Sequence, residues 1–169
     1  MKENSCCIGL GSNIDAEKNL QRAAALLREH WPNVRFSSVW KSAPQGFTDQ
    51  PDFLNTVAQI ETKESPQVIH RTLMEIEQEL GKKLPFRFGP RTIDLDLLLY
   101  GNAVLPNREE WPKGDLVIPH PRMHERRFVL EPLIELIGRE EEDPISHRTF
   151  HELLMGLGDQ KCSSVSLKL

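Results

Sequence analysis

From residue 6 to residue 100 the hydrophobic pattern changes period in a fixed order, and few folds accept that order. Residues 6–10 are a short apolar run ending at Gly11-Ser12-Asn13, which reads as a buried strand entering a turn. Leu20, Ala23, Ala24, Leu27 and Trp31 then recur at helical spacing, with Asp15 as N-cap and Pro32-Asn33 as the stop. Residues 34–40 are rich in β-branched and aromatic side chains, the chemistry of a strand, whereas residues 43–52 carry prolines, a glycine and polar groups and predict a loop. Residues 53–61 alternate, placing Leu54, Ala58 and Ile60 on one face and Asn55, Val57 and Gln59 on the other. Ser65 as N-cap and Pro66 at the first helical position open a helix striped by Ile69, Leu73, Ile76 and Leu80, with Gly81 at C′. After a basic, aromatic loop at 82–90, residues 92–100 alternate as a strand.

Strand, helix, strand, strand, helix, strand is the split βαβ arrangement called ferredoxin-like: an α+β, two-layer sandwich with an antiparallel sheet and helices on one face. Further along, Gly101-Asn102 predicts a hairpin turn into 103–105, residues 106–114 a loop, and 116–118 a short strand. Residues 122–137 read as helical with an interruption at Pro132, and Thr149 with Glu152 makes a capping box for a last helix carrying Phe150, Leu153, Leu154 and Leu157. The expectation is one domain over 1–169, its core at about 6–158 and its tail at 159–169 frayed.

A formal charge of −4 gives no broad basic surface for nucleic acid or anionic membrane, so any phosphate ligand must be met by local cations. Three cysteines with no metal-binding spacing predict a reducing compartment, and the polar start followed by few apolar residues predicts neither signal nor membrane span. A cytoplasmic address follows. A ferredoxin-like RNA-binding module would want exposed aromatics and a glycine in an RNP1-like strand, which the strands at 53–61 and 92–100 do not supply.

Chemistry concentrates in Gly89-Pro90-Arg91-Thr92-Ile93-Asp94-Leu95-Asp96. Residues i and i+2 of a strand share a face, so Asp94 and Asp96 point together while Ile93, Leu95, Leu97 and Leu99 point into the core. Two adjacent carboxylates favour a hard cation such as Mg²⁺, which takes few protein ligands and fills its octahedron with water and phosphate oxygens. Two acids on a half-exposed strand need no ligand by themselves; Arg91 beside them, a planar fork suited to phosphate, shifts the reading toward a phosphate-and-metal site.

This stretch resembles the signature of the 6-hydroxymethyl-7,8-dihydropterin pyrophosphokinase family of folate biosynthesis. Three more segments agree: Leu10-Gly11-Ser12-Asn13, Asp49-Gln50-Pro51-Asp52-Phe53-Leu54-Asn55, and Pro119-His120-Pro121-Arg122-Met123 followed by Arg126 and Phe128. The resemblance implies that ATP donates pyrophosphate to the hydroxymethyl oxygen of the pterin, with attack at the β-phosphorus and AMP leaving. It implies two Mg²⁺ ions on Asp94 and Asp96, catalytic roles for Arg91, Lys82 and Arg87, and a monomer working on small molecules alone. For the pterin it implies Ser42, Ala43, Gln45, Gly46, Asp94, Asn55 reading the amide-like edge, Phe53 and Phe128 sandwiching the ring, and Phe88 on a loop that closes over it. For ATP it implies Met74, Glu77, Arg91, Leu97, Val117, His120 and Arg126.

The chain departs from the family pattern at several positions. Leu80-Gly81-Lys82-Lys83-Leu84 stands where LGRxR is typical, Phe88 where tryptophan is usual, Met74 where glutamine is frequent, Asp115 where arginine is frequent, and Ser42-Ala43 where Thr-Pro is common. Lysine keeps the charge of arginine and loses the bidentate fork. A weakened catalyst that still binds pterin or nucleotide is therefore the alternative, and the loop at 82–90 is expected to be mobile without ligands and to order over ATP, with Arg87 carrying part of the lost bidentate work.

Overall fold

The computed structural model describes residues 2–82, 86–106 and 116–169. Its elements are β1 (Asn4–Ser12), α1 (Ala16–His30), β2 (Arg35–Phe36), β3 (Val39–Ser42), β4 (Phe53–Thr62), α2 (Pro66–Glu79), β5 (Asp94–Tyr100), a 3₁₀ turn (Met123–Glu125), α3 (Arg127–Ile137), α4 (Phe150–Met155) and β6 (Cys162–Val165). The sheet runs β5-β1-β4-β3-β6, with β2 pairing β4, and these pairings are all antiparallel. The ferredoxin-like core is present as expected, with α1 and α2 packed by Leu20, Leu27, Ile69, Leu73 and Ile76 against Cys6, Ile8, Leu10, Ala58 and Ile60. Each such fully buried aliphatic side chain contributes about 1.5–3 kcal/mol relative to exposure.

The expectation of helices on one face holds for that core and not beyond it. Cys7, Val57, Leu98 and Leu99 form a second cluster with Leu130 and Leu133 of α3 and Phe150 of α4 on the opposite face. Both central strands are thus covered on two sides, which explains why β1 reads as a continuous apolar run. Leu99 corrects the simple alternation of β5: the register with β1 shifts between Cys7 and Ile8, so Leu97 stays with the first cluster while Leu98 and Leu99 both join the second. An extra residue in one strand of a pair has this effect on facing.

Five local expectations are corrected. The strand at 34–40 is split because Ser37 inserts its hydroxyl into the ladder, where Oγ accepts from Val57 N at 2.9 Å. Asp15 stands at the start of α1 in the left-handed region (φ 42°) without capping through its side chain; Asn19 instead donates to Ile14 O at 2.6 Å. Residues 103–105 do not fold back on β5, since Leu105 bridges Ile118. α3 runs through buried Pro132, and the break falls at Arg126, whose extended backbone (φ −123°) separates it from the 3₁₀ turn. The tail is not frayed: β6 pairs with β3 along the sheet edge, and Leu167 and Leu169 pack on the first core cluster. No helix among the described residues is long and apolar enough to cross a membrane.

Candidate active site

On the α3 side of the sheet lies a cavity of ≈ 270 Å³. Its floor is built from β1, β4 and β5, which present Gly9, Gly11, Asn55, Val57, Asp94, Asp96 and Leu98. The glycines keep that floor low. A Cβ at Gly11 would stand 3.0 Å from Asn55 Oδ1, and one at Gly9 would stand 3.3 Å from Leu98.

Part of the lining is aromatic and amide-like. Phe53, Phe128, Phe88, Ser42, Ala43 and Gln45 form it, and buried Asn55 donates Nδ2 to Ser42 Oγ at 3.0 Å. Gly46 lies behind Phe88 rather than on the cavity wall; at φ 75° and with Phe88 3.1 Å from where a Cβ would be, this position suits glycine alone. The Phe88 ring is flanked by the guanidinium groups of Arg87 at 4.9 Å and Arg122 at 5.7 Å.

Charged groups line the same cavity. Asp94 and Asp96 share the cavity face with Arg91, Arg87, His120, Arg122 and Arg126. Arg91 Nε lies 3.6 Å from Asp94 Oδ2, and Lys82 Nζ lies 2.8 Å from Asp94 Oδ1 and 3.0 Å from Glu77 Oε1. Asp96 is reached by solvent through the cavity yet sits deep in its recess; loss of bulk water raises its pKa, with His120 opposing and Asp94 adding to the rise. Burial lowers the pKa of His120, Asp96 opposes, and Arg126 and Arg122 push down again, so the ring is neutral at pH 7. His120 Nδ1 accepts from Arg122 N at 3.3 Å, which leaves the proton of the neutral ring on Nε2. Arg126 holds a buried Nε with no hydrogen-bond partner among the described residues. An orphaned guanidinium donor beside a cavity is a built-in invitation to an anion.

Ser12 and Asn13 tie the surrounding loops together. Asn13 Nδ2 donates to Gln50 Oε1 at 2.8 Å and Pro51 O at 3.0 Å, while its Oδ1 accepts from Arg91 N at 2.8 Å. Gln50 in turn donates to Phe47 O at 2.6 Å and Phe88 O at 2.7 Å. The segment carrying Phe88 is thereby fastened to the loop at 43–52 through two amide side chains.

A sequence profile of the family described as 7,8-dihydro-6-hydroxymethylpterin-pyrophosphokinase (HPPK) matches residues 7–138. The chain belongs to this family. The Bacillus subtilis protein named 2-amino-4-hydroxy-6-hydroxymethyldihydropteridine pyrophosphokinase is 41% identical over 152 residues, covering 88% of this chain and 87% of the relative. Its Haemophilus influenzae namesake is 43% identical over 132 residues, covering 76% of this chain and 79% of the relative. A crystal structure of Plasmodium falciparum HPPK-DHPS superposes with a TM-score of 0.68 at 13% identity, over 91% of this chain and 43% of that one, and supports the fold.

Of the residues that the HPPK resemblance singles out, Ser42, Ala43, Gln45, Phe53, Asn55, Arg87, Phe88, Arg91, Asp94, Asp96, His120, Arg126 and Phe128 meet in the one cavity. Met74, Glu77, Lys82, Leu97 and Val117 do not line it. Met74 is exposed on α2, Leu97 is buried in β5, and Glu77 reaches over the sheet edge to accept from Leu95 N at 2.7 Å. Burial pushes the Glu77 carboxyl up, and that backbone donor and Lys82 oppose it. Lys83, Leu84 and Asp115 lie outside the described residues. Gly11 and Arg122 stand inside the motifs quoted above without a site role, and Gly9 stands outside them; two glycines at i and i+2 of a strand were the available signal for a cleared face.

On the 3₁₀ turn that brings Met123 to the cavity, His124 Nε2 lies 2.9 Å from Asp143 Oδ1, and Asp143 Oδ2 accepts from Ser146 N at 2.8 Å. Burial would raise the Asp143 pKa, but the bonds from His124 and Ser146 outweigh it and hold the carboxyl below its ordinary 3.8. A lowered carboxyl pKa stabilises the fold above its unfolded value, and that contribution fades as pH falls through the folded value. Asp143→Asn should therefore lower the Tm at pH 6, with a gap to wild type that narrows below about pH 4 in melts taken across that range.

Proposed function

We propose that the chain transfers pyrophosphate from ATP to the hydroxymethyl group of 6-hydroxymethyl-7,8-dihydropterin, releasing AMP in folate biosynthesis. The observation that carries this reading is a single glycine-floored cavity whose lining combines three phenylalanines and Asn55 with two carboxylates and four arginines. That cavity suits a flat heterocycle, with Phe53, Phe128 and Phe88 for its faces. Asn55 can donate and accept together, which matches the pterin's amide edge.

Asp94 and Asp96 fit a Mg²⁺ pair, being hard oxygen donors on one face with room beside them for water and phosphate. Bound there, Mg²⁺ would neutralise triphosphate charge and make the substrate hydroxyl more acidic. Arg126 and Arg91 would hold phosphate oxygens, and neutral His120 would donate from Nε2. The hydroxymethyl oxygen gives up its proton to solvent as it attacks the β-phosphorus, the bond from that phosphorus to the α-phosphate bridging oxygen breaks, and AMP leaves with its electron pair. Positioning and charge stabilisation supply most of such a transfer, so no covalent intermediate is required. We read the working form as a cytoplasmic monomer acting on these small molecules.

AMP release from ATP, assayed with and without the reduced hydroxymethylpterin, tests the reading: pterin-dependent AMP is expected, and ADP instead would undo the β-phosphorus assignment. In the cavity, Asn55→Ala should weaken pterin binding by roughly 1–3 kcal/mol by calorimetry, because a buried polar edge loses its partner. Unchanged pterin affinity with weakened ATP binding would mean that the two subsites are exchanged.

A further inference from the structure

The end of α2 aims a cation at Asp94. Lys82 N donates to Glu77 O at 3.0 Å and Gly81 N to Gln78 O at 3.0 Å, with Gly81 at φ 77°. This is the Schellman pattern of a helix end, and it fixes the backbone of Lys82 on the carbonyl of Glu77. Glu77 is itself fixed, because its Oε1 accepts from Leu95 N at 2.7 Å on the edge strand that bears Asp94. The Lys82 ammonium, mostly covered, bridges Glu77 Oε1 and Asp94 Oδ1, while Arg91 approaches the other oxygen of Asp94. Both oxygens of this carboxylate therefore face a cation of the chain itself. Among the described residues Asp96 forms no such pair, although it stands on the same cavity face.

A divalent ion that ligates Asp94 must take an oxygen already engaged by a positive group, and two cations cannot share it at hydrogen-bond distance without strong repulsion. We propose that Lys82 is an internal counter-ion for Asp94, which keeps metal affinity low until nucleotide arrives and gives the ammonium a phosphate to move to. The inference rests on the reading of Asp94 as a metal ligand. The four-carbon stem lets the ammonium swing while its backbone stays fixed by the helix end, and a point charge exchanges partners more readily than a planar fork locked bidentately on a carboxylate. Lysine at this position thus sets the order of loading: metal with nucleotide, in preference to metal alone.

The test is Mn²⁺ binding followed by electron paramagnetic resonance on the full chain, without and with a non-hydrolysable ATP analogue. Wild type, Lys82→Met, Lys82→Gln, Lys82→Arg and Asp94→Asn are compared, with circular dichroism to verify folding. Without nucleotide, the neutral Met or Gln variants should bind Mn²⁺ on the order of tenfold more tightly than wild type, as expected for removing one unit charge beside the ion. Lys82→Arg should stay near wild type, and the analogue should shrink the gap. If both neutral variants, folded, bind no more tightly while Asp94→Asn loses binding, Lys82 is no counter-ion and Asp94 remains a ligand. If Asp94→Asn binds Mn²⁺ as wild type does, the ligand assignment fails and the proposal with it. A neutral variant that cannot fold without metal, while the other binds no more tightly than wild type, also overturns it.

Discussion

Alanine at Asp94 or at Asp96 is expected to lower turnover by on the order of 10³-fold or more, the scale of several kcal/mol of charge stabilisation lost at the transferring phosphate. Pterin binding measured without nucleotide should survive in both variants, since both leave Asn55 and the phenylalanines of the cavity lining in place. The two losses should differ in their side effects. Asp94→Ala leaves the Lys82 ammonium with Glu77 alone, whereas Asp96→Ala disturbs no ion pair among the described residues. Steady-state AMP release paired with pterin calorimetry separates these outcomes, and near-normal turnover in both variants would remove the metal from Asp94 and Asp96.

Asn13→Ala should injure stability and substrate binding together. The side chain is 4% exposed and holds Gln50, Pro51 and the backbone of Arg91, so its removal leaves partly buried polar groups of three segments without this partner. A loss of about 2–4 kcal/mol in unfolding free energy is expected from denaturant titration, with each orphaned group costing about 1–3 kcal/mol before relaxation. Gln50 would then lose the anchor from which it holds the backbone of Phe88, and the KM for pterin should rise. Asn13→Asp keeps the acceptor for Arg91 N but turns an oxygen toward the acceptors Gln50 Oε1 and Pro51 O, so it should be no more stable than the alanine variant and should also loosen Phe88. A rise in KM with no loss of stability would mean that Asn13 contacts substrate directly.

The acid pair was legible because burial of Ile93, Leu95 and Leu97 commits Asp94 and Asp96 to the opposite face, a constraint that a strand writes into every second residue. The same logic misplaced Leu99, since a register shift leaves no trace in the alternation itself. Ser65-Pro66 and Gly81 announced both ends of α2 through backbone chemistry local to those residues. Asp15 announced a cap that its side chain does not make, while Asn19 Nδ2 donates back to Ile14 O and ties down the preceding carbonyl, which no spacing rule requires. Asn13 and Gln50 lay inside quoted motifs, but their work is tertiary, linking segments far apart in sequence. β6 was missed for a similar reason: a short polar strand is made by the edge it pairs with, and Cys162–Val165 carries little pattern of its own.

The glycines of β1 have one more consequence. The second hydrophobic cluster begins at Cys7, Val57 and Leu98 and stops where Gly9 and Gly11 offer no side chain to continue it. A flat ring seated there would serve as the absent part of the protein's own interior, supplied from solution and removed at each turnover. The fold therefore leaves a position in its packing to be filled by a metabolite. Any side chain that filled that position permanently would gain cohesion for the empty protein by taking the substrate's seat.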